Sequence, residues 1–304
     1  MELREKLEQT RRNCITLKIS GSSEQRSGTT RFGGRPDVPR SFTWPVFDSG
    51  EMEKNVKKGL FSFLHVRKDK IGNARKPAAR PLSFIAQFDC AELAKYDTEH
   101  LLPNHGILSF FYETYSQRWG FDPKDKGCAR VYWFENSATL EPAEFPDDLE
   151  EDFKFPALNI KMRAEPSFPE WDDFSEIYPY EAEDGDEGDE FFKARAELTD
   201  DDTDNNSKLL GWPDIIQGSI PIECELVTRG YYLGGDWSGI PENVEKEARS
   251  CAADKWLPLL QLDAVECGDF RLMFGDCGRI YFYITRDDLS ARRFENVWLI
   301  LQCY

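Results

Sequence analysis

Two glutamines set in apolar runs carry the clearest capacity for recognition: Gln87 within residues 82–89 and Gln261 within residues 256–263. A buried amide must find partners for two donor hydrogens and an acceptor oxygen. Each side chain therefore bonds either a ligand or the backbone. Were the two to face one cleft, they would hold a polar ligand between them. The structural role is the expected one: each glutamine ties its strand to a neighbouring turn, such as a Gly-x-Pro-Asp loop, because burial alone demands that satisfaction.

Arg35, with Arg31 and Asp37, lies on a glycine-rich turn, and Trp119, with Phe121 and Asp122, lies on another. An arginine beside an aromatic shelf suits an anionic or planar ligand. The plainer alternative has Arg35 pairing with an acid to hold its loop while Trp119 covers the sheet. Asp276, beside Cys277 in Phe274-Gly275-Asp276-Cys277-Gly278, is the most nucleophile-like neighbourhood. Activating that thiol needs a histidine or a cation, and His65, His100 and His105 all lie in the other half of the chain. No phosphate-binding glycine pattern, G-x-S-x-G or H-E-x-x-H occurs. We assign no catalytic residue. The eight cysteines form no C-x-x-C pair, so we expect reduced, mostly buried thiols, no metal site and no cofactor.

The elements that position these residues come from an internal repeat. Gly34-Arg35-Pro36-Asp37 is matched by Gly211-Trp212-Pro213-Asp214, the Gln87 run by the Gln261 run, and Gly106–Phe111 by Gly278–Tyr283, at offsets of 177, 174 and 172. The first anchor is a turn, the second has the length of a buried strand, and the third is a turn glycine leading into an aromatic strand. Further strands are expected at 129–135, 222–228 and 297–303. Short helices are expected at 2–12, 90–96 (capped by Asp89), 241–253 (opened by Pro241) and after the capping box Thr285-x-x-Asp288. The expected fold is α+β: two diverged copies of a strand-rich unit packed together, with mostly antiparallel sheets and a few short helices. The boundaries are an N-terminal helical segment (1–27), a first half (28–180), an acidic flexible excursion (181–206) and a second half (207–304). Residues 28–304 then form one compact domain.

Together, Arg31–Asp37, Trp44-Pro45, Phe84–Gln87, Leu102-Pro103, Gly106 and Phe110–Tyr112 resemble the YwqG-like family. So do Trp119–Pro123, Leu210–Asp214, Leu259–Asp263, Gly275–Gly278 and Asp287–Leu289. The resemblance covers most of residues 28–304. It implies a duplicated α+β fold of a bacterial domain of unknown function, and it supplies no catalytic residues. The stretch 51–80 and the acidic middle are longer than the family pattern.

The formal net charge is −18, which repels phosphate backbones, so nucleic acid is not the expected partner. Acid concentrates in 141–152 and 181–206, the latter holding twelve acidic and two basic side chains, while 65–80 is basic. No apolar run approaches the ~20 residues of a membrane span, and the N-terminus lacks a signal-peptide pattern, so we expect a cytoplasmic protein. The leading expectation is a non-catalytic protein-binding module of regulatory or immunity-like type whose partner carries a basic surface. The alternative is an enzyme or small-ligand binder acting in a cleft between the halves around Arg35, Gln87, Trp119, Gln261 and Asp276.

Overall fold

A computed structural model of the chain describes residues 3–24, 26–48, 79–178, 187–199 and 207–304. Ten strands form one sheet: β1 (Arg12–Ser22), β2 (Arg31–Phe32), β3 (Ser83–Asp89), β4 (Ile107–Tyr112), β5 (Ala129–Phe134), β6 (Leu158–Ser167), β7 (Lys208–Leu210), β8 (Trp256–Leu262), β9 (Arg279–Thr285) and β10 (Trp298–Gln302). Their order is β10-β9-β8-β7-β1-β6-β2-β3-β4-β5, and every neighbouring pair is antiparallel. The long β1 and β6 pair at the centre, from Arg12 opposite Ser167 to Ser22 opposite Leu158. Four strands flank them on each side.

Strand twist curls this sheet until it is nearly closed. Phe110 of β4 meets Phe282 of β9 across the interior with ring centroids 5.2 Å apart, and the turn Phe294–Asn296 packs on β5. Successive side chains of a strand face opposite ways. In β9, Ile280, Phe282 and Ile284 join the interior core, while Tyr281 and Tyr283 sit in a second cluster. That outer cluster is covered by helices α5 (Ile220–Thr228) and α6 (Glu242–Lys255). On the other flank Phe42 and Trp44 cover Phe111 instead, at 5.9 and 5.5 Å. The expectation of a mixed fold with mostly antiparallel strands and few helices matches this architecture.

The two flanks share particular details. Pairing of β3 with β4 slips between Phe84 and Ala86, and pairing of β8 with β9 slips between Pro258 and Leu260. Each bulge falls two residues before the glutamine of its strand. Arg31 of β2 lies opposite Gln87, as Lys208 of β7 lies opposite Gln261.

Two expected elements are corrected. Residues 222–228 are not a strand but belong to α5, whose first eight residues are all buried. A short continuous apolar run reads equally as buried strand or buried helix, and Pro221 in the first turn decides for helix. The N-terminal segment 1–27 is not helical throughout. Helix α1 covers Leu3–Gln9, and β1 follows in the middle of the sheet. Its alternation, with Ile15 and Leu17 buried and Lys18 exposed, has the period of a strand.

The other helices hold: α2 (Cys90–Leu93) is capped by Asp89 and α7 (Arg286–Ser290) by Thr285, whose Oγ1 accepts from Asp288 N at 3.1 Å. Within the acidic stretch, α4 (Glu187–Ala196) buries Phe191 against Trp171 and Phe174 of α3 (Trp171–Ile177), at 5.2 and 5.0 Å. Residues 181–186 and 200–206, like most of 65–80, lie outside the described residues. The acidic loop 141–152 is held down by cations, through pairs Glu141–Arg40, Glu144–Arg35, Glu150–Arg80 and Glu151–Lys154.

Candidate functional site

On each flank a turn aspartate is clamped by the glutamine and the cation of neighbouring strands. On the first flank, Asp37 N donates to Gln87 Oε1 at 2.9 Å, and Gln87 Nε2 donates to Asp37 Oδ2 at 2.6 Å. Arg31 Nη1 reaches the same oxygen at 3.0 Å. On the second flank, Asp214 N donates to Gln261 Oε1 at 2.8 Å, Gln261 Nε2 donates to Asp214 Oδ2 at 2.7 Å, and Lys208 Nζ stands 2.7 Å from that oxygen. Both glutamines thus take the structural role, each tied to a Gly-x-Pro-Asp turn.

The two clusters differ in access. The side chains of Arg31 and Asp37 are 0% exposed. Asp214 is 21% exposed and lines a cleft of about 690 Å³ with Arg163, Glu170, Arg195, Lys208 and Arg279. This cleft lies where the flanks join, between β1, β6, β7 and α4. Its cations are paired: Arg163 with Glu165, Arg195 with Glu170 at 2.8 Å, Lys208 with Asp214, and Arg279 with Asp263 at 3.0 Å. Arg279 Nη1 and Tyr281 OH both donate to the Asp214 carbonyl, at 2.9 and 2.7 Å. Burial works to raise the Asp214 carboxyl, but Lys208, Gln261 and Arg279 together hold it below the usual carboxylate range. Burial raises Glu170 against the pull of Arg195.

One atom remains unspent. Asp214 Oδ1 takes no hydrogen bond among the described residues, and Arg195 Nη2 stands 4.0 Å from it. Its counterpart, Asp37 Oδ1, is buried without a hydrogen-bond partner among the described residues. The same oxygen is therefore left over twice, sealed on one flank and open to a cleft on the other.

Of the five residues singled out from sequence, Gln87 and Gln261 are buried and clamped as above, Gln261 supporting the cleft from behind. Arg35 pairs with Glu144, and its carbonyl accepts from Arg31 Nη2. Asp276 accepts from Tyr304 N through its carbonyl at 3.2 Å. Trp119 lines a different cleft. The cleft at the junction is built instead from Lys208, Asp214, Arg279, Arg195 and Glu170. One signal for it was present: a cation stands six residues before the turn aspartate in both halves, Arg31 before Asp37 and Lys208 before Asp214. Arg279 has no such signal, since Ile107 stands at the matching position.

The one thiol among the described residues that line the cleft is not activated. Cys14, which lines it, is pushed up to about 11 by burial and stays a neutral thiol. Burial likewise raises Cys90, to about 12, and Cys128, Cys224 and Cys251. Cys277 is exposed in its turn. In the native protein at neutral pH, Cys277 is expected to react first with a thiol reagent, and mass spectrometry of the early adduct checks this. First labelling of Cys14 or Cys90 would contradict the burial described. Among the described residues no group of three or more His, Cys, Asp or Glu is arranged to hold a metal, and no helix is long and apolar enough to cross a membrane.

A family model described as a domain of unknown function, DUF1963, matches residues 30–303. The chain belongs to the DUF1963 family. No curated protein matches it. Within this DUF1963 chain the match takes in both aspartate clamps and the lining of the junction cleft apart from Cys14, Thr16 and Tyr304, and it assigns them no chemistry.

Proposed function

We propose that this DUF1963 protein is a YwqG-like, cytoplasmic, non-catalytic binding module that receives a basic segment of a protein partner in the cleft at the junction of its two halves. We read those halves as two diverged copies of one unit. Support comes from the equivalent bulges, the equivalent strand pairings and the two Gln–Asp–cation clusters.

The observation that carries the functional reading is Asp214 Oδ1. It is an ionised acceptor with spare capacity, held rigidly by Gln261 and Lys208 at the wall of an open cleft, with Glu170 beside it. A lysine or arginine side chain entering there would gain a charge-assisted hydrogen bond to Oδ1, from which Arg195 stands 4.0 Å away, while Lys208 keeps Oδ2. A net charge of −18 steers basic partners and repels nucleic acid. The regulatory or immunity-like role is inferred from this charge by analogy.

Affinity purification at low salt with the wild type and Glu170→Gln side by side tests this. The wild type is expected to retain a stoichiometric basic partner that leaves as salt rises, and Glu170→Gln to retain it about tenfold less tightly. No stoichiometric partner, or one indifferent to salt and to the substitution, counts against the proposal.

A second reading, a small-ligand binder or enzyme acting in the same cleft, is favoured by its volume, which falls within the ~300–1,000 Å³ of small-molecule sites. A small zwitterion that raises the melting temperature of the wild type but not of Lys208→Met would favour it over a protein partner.

A further inference from the structure

A second cleft, of about 680 Å³, opens between the loop that joins β4 to β5 and the loop that follows α5. Its aromatic wall is Trp119, Phe121 and Tyr232, with Trp119 and Phe121 ring centroids 6.0 Å apart. Tyr232 is 59% exposed, a large aromatic surface left in water.

The wall is rigidly held. Trp119 O accepts from Leu301 N at 2.9 Å, and Phe121 O accepts from Leu233 N at 2.8 Å. Gly120, at φ +78°, lies so close to Leu299 O that a Cβ there would stand 1.7 Å from it. Gln117 bridges to the 273–275 turn, with Nε2 donating to Met273 O at 3.0 Å and Oε1 accepting from Gly275 N at 2.8 Å. Such a base fixes the backbone that carries Trp119 and Phe121 before any ligand arrives.

Unspent polar groups sit at the same place. Among the described residues the Trp119 indole N–H makes no hydrogen bond, whereas those of Trp212, Trp256 and Trp298 each reach an acceptor. Among the described residues Arg118 Nε is buried with no hydrogen-bond partner, and the Asp125 carboxylate stands 3.9 Å from its guanidinium. Acceptors face these donors. Asp122 spends Oδ1 on Lys124 N and Asp125 spends Oδ2 on Gly120 N, which leaves Asp122 Oδ2 and Asp125 Oδ1 less engaged. An anion would meet these two carboxylates, and a cation would meet Arg118.

We infer that this cleft binds a small, neutral, planar ring carrying an amide-type edge, with the ring stacked on Trp119 and Tyr232, its carbonyl accepting from the Arg118 guanidinium, and its N–H donating to Asp122. This site is separate from the junction cleft and does not depend on a protein partner.

Three ligands that share one ring and differ in charge test the inference: nicotinamide, its anionic acid nicotinate, and the cationic 3-(aminomethyl)pyridine. Each is titrated at millimolar concentrations into the full ¹⁵N-labelled chain while the indole N–H signals are followed, with the Trp119 signal assigned by its loss in Trp119→Phe. Nicotinamide is expected to shift that one signal saturably, and the two charged analogues to need about tenfold more ligand. Tyr232→Ala, at an exposed position that cannot unfold the chain, is expected to weaken nicotinamide about fivefold, and Glu170→Gln to leave it unchanged. No movement of the Trp119 signal, equal response to all three ligands, or indifference to Tyr232→Ala would each overturn the inference.

Discussion

Asp37→Ala is expected to destabilise the protein by about 3–5 kcal/mol, because it strands the wholly buried Arg31 guanidinium without its counter-charge. In a chain of this size that lowers the melting temperature by roughly 5–15 °C. The substitution also removes the acceptor of Gly28 N, at 2.8 Å, and of Gln87 Nε2. Asp214→Ala deletes the matching residue of the other flank and is expected to cost less, about 1–2 kcal/mol. There the Lys208 side chain is 10% exposed at a cleft wall, so water can take the place of the lost carboxylate. Thermal melts of the two variants side by side check the pair. Equal costs would contradict the contrast between a sealed clamp and an open one.

A second large effect is a pH dependence seated under α3 and α5. Asp173 and Glu223 are buried there, raised by that burial to about 7 and about 8. Asp173 Oδ1 accepts from Ser219 Oγ at 2.7 Å while Oδ2 is buried without a hydrogen-bond partner among the described residues. Glu223 Oε2 accepts from Gln302 Nε2 at 3.1 Å. Arg12, Glu170, Asp172 and Tyr283 supply the surrounding charge and polarity. Each folded-state value lies above the unfolded one, so the folded chain binds more protons between them. The contribution of the pair is fully present below about pH 4 and is lost as pH rises through about 7 to 8. Glu223→Gln keeps the side chain's shape without the ionisation. It is expected to gain about 2–4 kcal/mol relative to wild type at about pH 8.5 and little at about pH 5. The net charge of −18 tilts both proteins alike, so the difference between their melting curves is the measure. A difference that does not change with pH would contradict this account.

The sequence made the clamps legible and left the cleft hidden. Gln87 and Gln261 announced themselves because a polar side chain inside an apolar strand must be satisfied, and the Gly-x-Pro-Asp turns supplied its partner. Arg31 stood out only as part of its glycine-rich turn, and Lys208, at the same spacing, did not stand out at all, since one basic residue on a short strand looks solvated. Glu170 and Arg195 could not be found at all: the cleft places them beside Asp214 only through the packing of α3 and α4, where Phe191 docks on Trp171 and Phe174. Residues 222–228 misled because burial on every side erases the period that separates helix from strand. In 12–22 the strand period was present but masked by the charged helix before it.

Site-specific photo-crosslinking from Leu198, which lines the junction cleft, tests the central claim most directly. A photoreactive side chain there is expected to capture a partner at a lysine- or arginine-bearing segment, with the yield falling as salt rises and in Glu170→Gln. Capture from the exposed Tyr232 position with none from Leu198 would place the partner elsewhere and contradict the account.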